Sequence, residues 1–565
     1  MKLSVKSIKR YIRGKFRADL SAGLTVGMVV IPQSMAYAAI AGVNPIYGLY
    51  TAIIPTIIGA LFGSYPYLVT GPTNPTALVT ASVLLGYVDR VDYLEFVLVV
   101  SILAGLFKLL LGLFKIATIS RYISNSVLVG FLSASGVLII ANQLGNLLGL
   151  TLGRTAGLWG LLIRLVNNIP NVHFYSLILG LLTIGLMLGI RVIDPKLPAA
   201  LFTIILTSLT VYLLGWSELG VRLVTDVGLP QNLNLRFHLP QIALQDLTKL
   251  LIPGAAVALF GLMESVSITK AMSKMTGDTL DPSREMIGQG LASIVGGFFF
   301  CMPSSGSPSR TVINVVNGAK TKLSAVISGL SVFAFLLLFS RLIGYIPMPA
   351  LAGVVVVSSA SLINFDLIKM TWQSRLSSRT ILLVTFVSAL VLPLEYAIFL
   401  GILSTLLIFL GESSQVNLTY ILEDESGKFI ELPIDRIKEI KPDIAIVNIE
   451  GDLYFAAVES LEEQINQILN SGLKVLILRF RRTHLLASTG IIALGHIIDE
   501  AKKKGIEVLF CGVQNETRET LESSGILDSL GQQRIFIAND QLFTSTQKAL
   551  EEAKSILHKE NAPKE

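Results

Sequence analysis

Between the apolar runs Leu291–Phe300 and Val312–Val316 stands a segment that hydrocarbon cannot accept: Met302 to Thr311, reading Met-Pro-Ser-Ser-Gly-Ser-Pro-Ser-Arg-Thr. Two prolines, four serines and an arginine leave backbone and side-chain polar groups without partners in lipid. Such a stretch is tolerated at membrane depth only where it is buried in protein or lines a water-filled cavity. Val69 to Thr80, Val-Thr-Gly-Pro-Thr-Asn-Pro-Thr-Ala-Leu-Val-Thr, has the same character in the other half of the chain. Paired interruptions of this kind point to the central site of a transporter.

The surroundings make the chain an α-helical membrane protein. Of its 565 residues 52% are hydrophobic and only 15% charged, so most of it is dissolved in lipid. The apolar runs are too long and too rich in Leu, Ala and Gly for barrel strands. Fourteen spans are expected: 20–42, 48–62, 72–87, 96–114, 124–148, 176–192, 199–214, 250–271, 286–300, 307–316, 323–346, 350–363, 381–392 and 395–410. Gln33 and Glu264 are 231 residues apart, and Pro72 and Pro308 are 236 apart, as an approximate internal duplication would give. Seven spans per repeat would make the repeats inverted.

The expected domains are a polar N-terminal segment 1–16, a transport domain 17–411 with repeats near 17–214 and 250–411, and a C-terminal domain 416–556. Lys2, Lys6, Lys9, Arg10, Arg13, Lys15 and Arg17 precede the first span. By the positive-inside rule they place the N-terminus in the cytoplasm, and an even number of spans places the tail there too. The loop 215–245 would then be extracellular. The first apolar run lacks a cleavage pattern and reads as a retained span. In the tail, apolar runs at 416–422, 444–449, 475–480 and 508–513 alternate with helical patterns at 458–469, 488–504 and 516–524, which predicts a small α/β domain.

Arg310 is the strongest single candidate, because a charge retained at this depth usually marks an ion path. Ser304, Ser305, Ser307 and Ser309 surround it with hydroxyls, and a helix starting near Ser307 would direct its free N–H groups and positive dipole end inward. That combination favours an anion; the alternative is an arginine that snorkels to an interface or pins a carboxylate. Pro72 and Pro75 suit a first helical turn, from which Thr73, Asn74 and Thr76 could offer donors to the same point. Otherwise the third span is a kinked packing element. Glu264 follows fourteen uncharged residues, Leu250 to Met263. It can hold a cation or take up a proton, or form a fixed ion pair with Arg310 or Lys270. Gln33 and Tyr37 share one face of the first span at i and i+4, either lining the cavity or bonding between helices.

Other chemistries are disfavoured. Gly14-Lys15 and Gly427-Lys428 are each followed by Phe, so no phosphate-binding loop drives transport with ATP. His173, His238, His484, His496 and His558 form no metal spacing, and no enzyme motif appears. Cys301 and Cys511 give no disulfide framework. No cofactor, metal or nucleic-acid partner is expected. The partners expected are an inorganic anion, a coupling proton or sodium ion, and the bilayer.

Ile31-Pro32-Gln33-Ser34-Met35-Ala36-Tyr37-Ala38 followed by Pro45-Ile46-Tyr47-Gly48-Leu49-Tyr50 resembles the signature of the sulfate permease family, whose animal relatives include prestin and pendrin. Gly306-Ser307-Pro308-Ser309-Arg310-Thr311 resembles its tenth-span motif. The tail resembles its sulfate transporter and anti-sigma factor antagonist (STAS) domain. The resemblance implies fourteen helices in two inverted repeats of seven, core and gate domains, and a homodimer. It places an anion between the facing ends of the third and tenth spans, touched by Gln33, Tyr37, Thr73, Asn74, Ser307, Ser309 and Arg310. Glu264 matches the coupling position, where Glu implies protons and Asp is found in sodium-coupled bicarbonate carriers. Ala487-Ser488-Thr489-Gly490 lacks the Asp of regulated STAS loops, which leaves Ser488 or Thr489 as an N-cap. A cytosolic regulatory partner at this domain is the remaining partner it implies. The function expected is proton-coupled sulfate symport by alternating access at the cell (inner) membrane. The alternatives are sodium-coupled bicarbonate transport, an uncoupled exchanger or channel, and a membrane anchor signalling through its tail.

Overall fold

The computed structural model describes residues 11, 14–116, 124–150, 152, 157–194, 197–227, 235–414, 416–424, 426–483 and 486–560. The basic residues at positions 2, 6, 9, 10 and 13, and His484, lie outside the described residues, as do positions 228–234 of the loop between halves. The chain divides into two units, Met1–Thr405 and Leu406–Glu565.

Among the described residues of the membrane unit, fourteen helices match the fourteen expected spans. They are α1 Phe16–Ala41, α2 Pro45–Phe62, α3 Asn74–Val83, α4 Tyr93–Leu113, α5 Asn125–Leu147, α6 Phe174–Ile193 and α7 Ala199–Leu213, then α8 Leu251–Thr276, α9 Pro282–Gly297, α10 Pro308–Val316, α11 Leu323–Ile343, α12 Met348–Ala360, α13 Leu376–Val391 and α14 Leu394–Ser413. Eight membrane-crossing candidates are long and apolar enough by length and composition. The short α3 and α10 are not among them, since each follows a Pro/Gly break. Capping explains the sharp starts. Asn44 accepts a hydrogen bond from the Ile46 N–H ahead of α2, and Asp281 accepts from the N–H groups of Ser283 and Arg284 ahead of α9. Pro45, Pro282 and Pro308 open their helices at a position where the missing N–H costs nothing.

Small residues let the helices approach, since burying apolar surface gives little driving force in lipid. A Cβ on Gly105 of α4 would lie 2.8 Å from the Gly290 carbonyl of α9, and one on Gly290 would lie 2.8 Å from the Gly105 carbonyl. The packing also carries the duplication. α1 packs on α11 as α8 packs on α4; α2 on α11 as α9 on α4; α1 on α10 as α8 on α3; and α5 on α13 as α12 on α6. In these four pairs, exchanging each helix for the one seven places away gives a contact that is also present. α1–α4 with α8–α11 form one body, and α5 and α6 with α12 and α13 form another. Gly401 of α14 meets Thr385 and Val127 of the second body.

The tail unit is a six-stranded sheet in the order β4-β3-β5-β6-β7-β8, comprising β3 Asn417–Glu423, β4 Phe429–Pro433, β5 Ile444–Glu450, β6 Val475–Arg482, β7 Glu507–Val513 and β8 Ile535–Ile537. β3 runs antiparallel to its neighbours and β5 to β8 are parallel. Alternate residues feed two cores. Val447, Leu478 and Phe510 meet Leu461 of α15 (Val458–Leu469) and Leu494 of α16 (Ser488–Lys503). Ile446, Ile477 and Leu509 meet Ala549 and Ala553 of α18 (Thr544–Glu560), which follows α17 (Asn515–Ser523). One expectation fails here: Ala487 is the N-cap of α16 and no side chain caps it, so Ser488 is the first helical residue rather than a cap.

Candidate functional site

Two broken segments meet in the first body. After the break near Val69 the chain makes a two-residue strand β1, Thr70–Gly71. Near Ser304 it makes β2, Ser305–Gly306, and the two pair antiparallel with Thr70 opposite Gly306 and Gly71 opposite Ser305. The Ser307 N–H donates to the Val69 carbonyl at 3.0 Å, and the Val69 N–H donates to Thr311 Oγ1 at 3.2 Å. Each strand runs at once into a helix, so α3 and α10 start side by side. Their first-turn N–H groups have no intrahelical acceptor and carry the positive dipole ends. Neighbours hold the crossing: Gly306 N–H donates to Ser265 Oγ (2.8 Å), Thr56 Oγ1 donates to the Thr70 carbonyl (2.5 Å), and Gln289 Nε2 donates to Thr70 Oγ1 (2.7 Å).

Arg310 lies in the first turn of α10, 1% exposed. It does not snorkel and it pins no carboxylate: its Nη2 donates to the Pro72 carbonyl, and no ion pair forms among the described residues. Nε and Nη1 are buried with no protein acceptor among the described residues. The guanidinium reaches this place because Gly71 lacks a side chain; a Cβ there would stand 2.6 Å from Nη1. A buried guanidinium with uncommitted donors beside two helix starts has the chemistry to hold an anion.

Glu264 of α8 faces the other side of the crossing. Its Oε2 lies within hydrogen-bond reach of Thr73 Oγ1 (2.9 Å), Thr76 Oγ1 (3.3 Å) and Ser305 Oγ. All four residues are buried. Thr73 is also the N-cap of α3, accepting from the Thr76 N–H. The third-span hydroxyls thus converge on the carboxylate rather than on the guanidinium. Pro72 precedes the N-cap instead of lying in the first turn, and Pro75 alone occupies it. Lys270 stands exposed further along α8.

The other expected residues are distributed around this centre. Asn74 donates through Nδ2 to Ser359 Oγ of α12 at 2.6 Å, tying α3 to the second body, while its Oδ1 has no partner among the described residues. Gln33 and Tyr37 are each 6% exposed on α1, which packs on both α3 and α10. Ser307 is buried as the N-cap of α10, and Ser309 is exposed two residues on, with its Oγ 3.5 Å from that of Ser307. A cavity of about 470 Å3 lies beyond the crossing, between α1 and α3 on one side and α5 and the α13–α14 turn on the other. Asn44, Ser82, Asn142, Gln143 and Asn146 give it polar, uncharged walls.

Three residues have roles that the sequence does not show. Thr76 and Ser305, anion donors by their place in the sequence, instead bond Glu264. Lys108, inside an apolar span, is fully buried on α4 with Nζ donating to the Ser304 carbonyl at 2.5 Å. The signal for it existed, a lone charge in a membrane span.

Comparison with known proteins agrees with this architecture. Residues 16–385 match the sulfate permease family and residues 435–549 match the STAS domain. YvdB of Bacillus subtilis is 27% identical over 535 residues, covering 94% of this chain and 98% of that one. The chloroplastic sulfate transporter 4.1 of Arabidopsis thaliana is 28% identical over 543 residues, covering 92% and 79%. The fold is shared with murine Solute Carrier 26 family member A9, an anion transporter solved in the inward-facing state, at a TM-score of 0.86, 18% identity and 96% and 92% coverage. It is shared also with the transmembrane domain of the cyanobacterial bicarbonate transporter BicA, at 0.61, 24% identity and 69% and 97% coverage. With its paired broken helices and C-terminal STAS domain, this chain belongs to the sulfate permease family of membrane transporters, not to the enzymes.

Proposed function

We propose that the protein is a secondary active transporter that carries an inorganic anion, sulfate first, inward together with protons by alternating access. The observation that carries this reading is Arg310, a buried guanidinium whose Nε and Nη1 have no protein acceptor among the described residues, where two helix starts meet. Gln33, Tyr37, Thr73, Asn74, Ser307, Ser309 and Arg310 form the substrate site, and Glu264 takes the proton. Thr73 acts on the anion through the helix start that it caps. Proton uptake on Glu264 would weaken its hold on the Thr73, Thr76 and Ser305 hydroxyls and so connect the coupling ion to both broken segments. The two helical bodies supply the moving parts, with the polar cavity at their junction as an access path. The sulfate reading is supported by the Arabidopsis relative, named a sulfate transporter. The chain works as a homodimer in the inner membrane, with its N-terminus and STAS domain in the cytoplasm, where the STAS domain meets a regulatory partner.

A second reading, sodium-coupled bicarbonate transport, is favoured by the three hydroxyl oxygens around Glu264, which would suit a small hard cation. Purified protein in liposomes separates the two. Labelled sulfate should accumulate under an inward proton gradient and not under a sodium gradient. Sodium-driven bicarbonate uptake would establish the second reading, and no concentrative uptake under either gradient would leave an uncoupled exchanger or channel.

A further inference from the structure

Lys108 is a buried cation that the transport reading has not used. It is 0% exposed in the C-terminal third of α4, with Nζ donating to the Ser304 carbonyl at 2.5 Å and to Ser293 Oγ at 3.4 Å. Ser304 immediately precedes β2, whose Ser305 hydroxyl bonds Glu264. α8 makes room for the ammonium one turn before Glu264: a Cβ on Gly261 would stand 2.9 Å from Nζ and 2.8 Å from Cε. Lys108 makes no ion pair among the described residues, and Glu264 is the carboxylate that acts on it electrostatically.

The remaining buried charges of this body are committed elsewhere. Asp19 accepts from the N–H groups of Lys320 and Thr321, and Glu285 from those of Ser64 and Tyr65. Lys108, Arg310 and Glu264 are left around the crossing. Among the described residues of this body, two buried cations and one carboxylate lie around the crossing, so together they carry one net positive charge when Glu264 is ionised and two when it is protonated. Two positive charges are the complement of a dianion. A carboxylate paired one-to-one with Arg310 would leave none when ionised.

We propose that Lys108 is a positioning residue for the transport cycle, a fixed second cation that makes the site selective for a dianion and matches that dianion to a proton on Glu264. It sits behind β2 and acts through the field, not by touching the anion. The inference rests on the anion site proposed above. Two unit charges about one helix diameter apart, at an effective dielectric constant of ~20, attract by roughly tenfold in binding for each charge on the anion.

The test is equilibrium binding of sulfate and nitrate to the full-length purified protein, wild type against Lys108→Met, a side chain of similar length without charge. Sulfate affinity should fall roughly a hundredfold and nitrate roughly tenfold, so the sulfate-to-nitrate preference falls about tenfold. A merely structural role would weaken both anions equally. If Lys108→Met does not fold, Gly261→Ala, whose Cβ displaces the ammonium, should lower the same preference in the same direction. An unchanged preference in the folded variant overturns the assignment of Lys108 alone. Wild-type protein that binds neither anion overturns the underlying site, and the proposal with it.

Discussion

The two broken segments occupy equivalent places in the two repeats and do different work. In the first, Thr70 to Thr76, no residue is charged, the cap hydroxyl turns toward Glu264, and the Pro72 carbonyl accepts the guanidinium of the other segment. In the second, Ser304 to Arg310, one hydroxyl also serves Glu264, but the helix brings a cation with unspent donors. The same backbone break thus supplies a carboxylate cage in one segment and, in the proposed reading, an anion receptor in the other. Ser305, which bonds Glu264, and Gly71, which makes room for Arg310, are opposite each other across one pair of strands. In the proposed cycle this shared two-stranded ladder would link the coupling ion to the anion.

Substitutions can break that comparison at one segment at a time. The largest effect is expected from Glu264→Gln, which keeps an acceptor for the hydroxyls but cannot titrate. Accumulation in liposomes under a proton gradient should fall to the level of passive equilibration while sulfate binding persists, and normal accumulation would remove Glu264 from coupling. Arg310→Ala deletes two charge-assisted hydrogen bonds to the anion, at about 1.5–3 kcal/mol each. Calorimetry should show sulfate binding at least roughly a hundredfold weaker, and unchanged affinity would dissolve the proposed receptor. Gly71→Ala leaves every polar group in place but sets a methyl 2.6 Å from Nη1. It should weaken sulfate by about tenfold with little effect on the Glu264 cage, so equal losses of binding and coupling would show that the two faces do not separate. The smallest effect belongs to Ser265→Ala, which strips the acceptor from the buried Gly306 N–H. A loss of about 1–3 kcal/mol of stability is expected, read as a lower thermal unfolding temperature, and no shift would mean that β2 is held by its ladder alone.

Much of this was legible before any coordinates. Most spans follow from hydropathy, whereas α3 and α10 are too short for it and are flagged instead by the polar, proline-containing breaks before them, whose backbone groups lipid cannot satisfy. The depth of Arg310 and Glu264 could be read as well, since charges in a span carry their own flag. Direction could not be read. Whether Thr73 points at Arg310 or at Glu264 depends on the pairing of β1 with β2, a contact between residues more than 230 positions apart. In the tail, β4 and β8 were missed because an edge strand and a three-residue strand give too little apolar pattern. The helix Thr544–Glu560 was missed because it buries few large residues, packing mainly through Ala549, Leu550 and Ala553.

The central claim is that an anion is held by the guanidinium of Arg310 between the first turns of α3 and α10. Selenate, a sulfate mimic with its own anomalous signal, can be located directly in crystals of the wild-type protein. The account predicts one peak within hydrogen-bond distance of Arg310 Nη1 or Nε, facing the start of α10. A peak confined to the polar cavity beside Asn142 and Gln143, with Arg310 untouched, would contradict it.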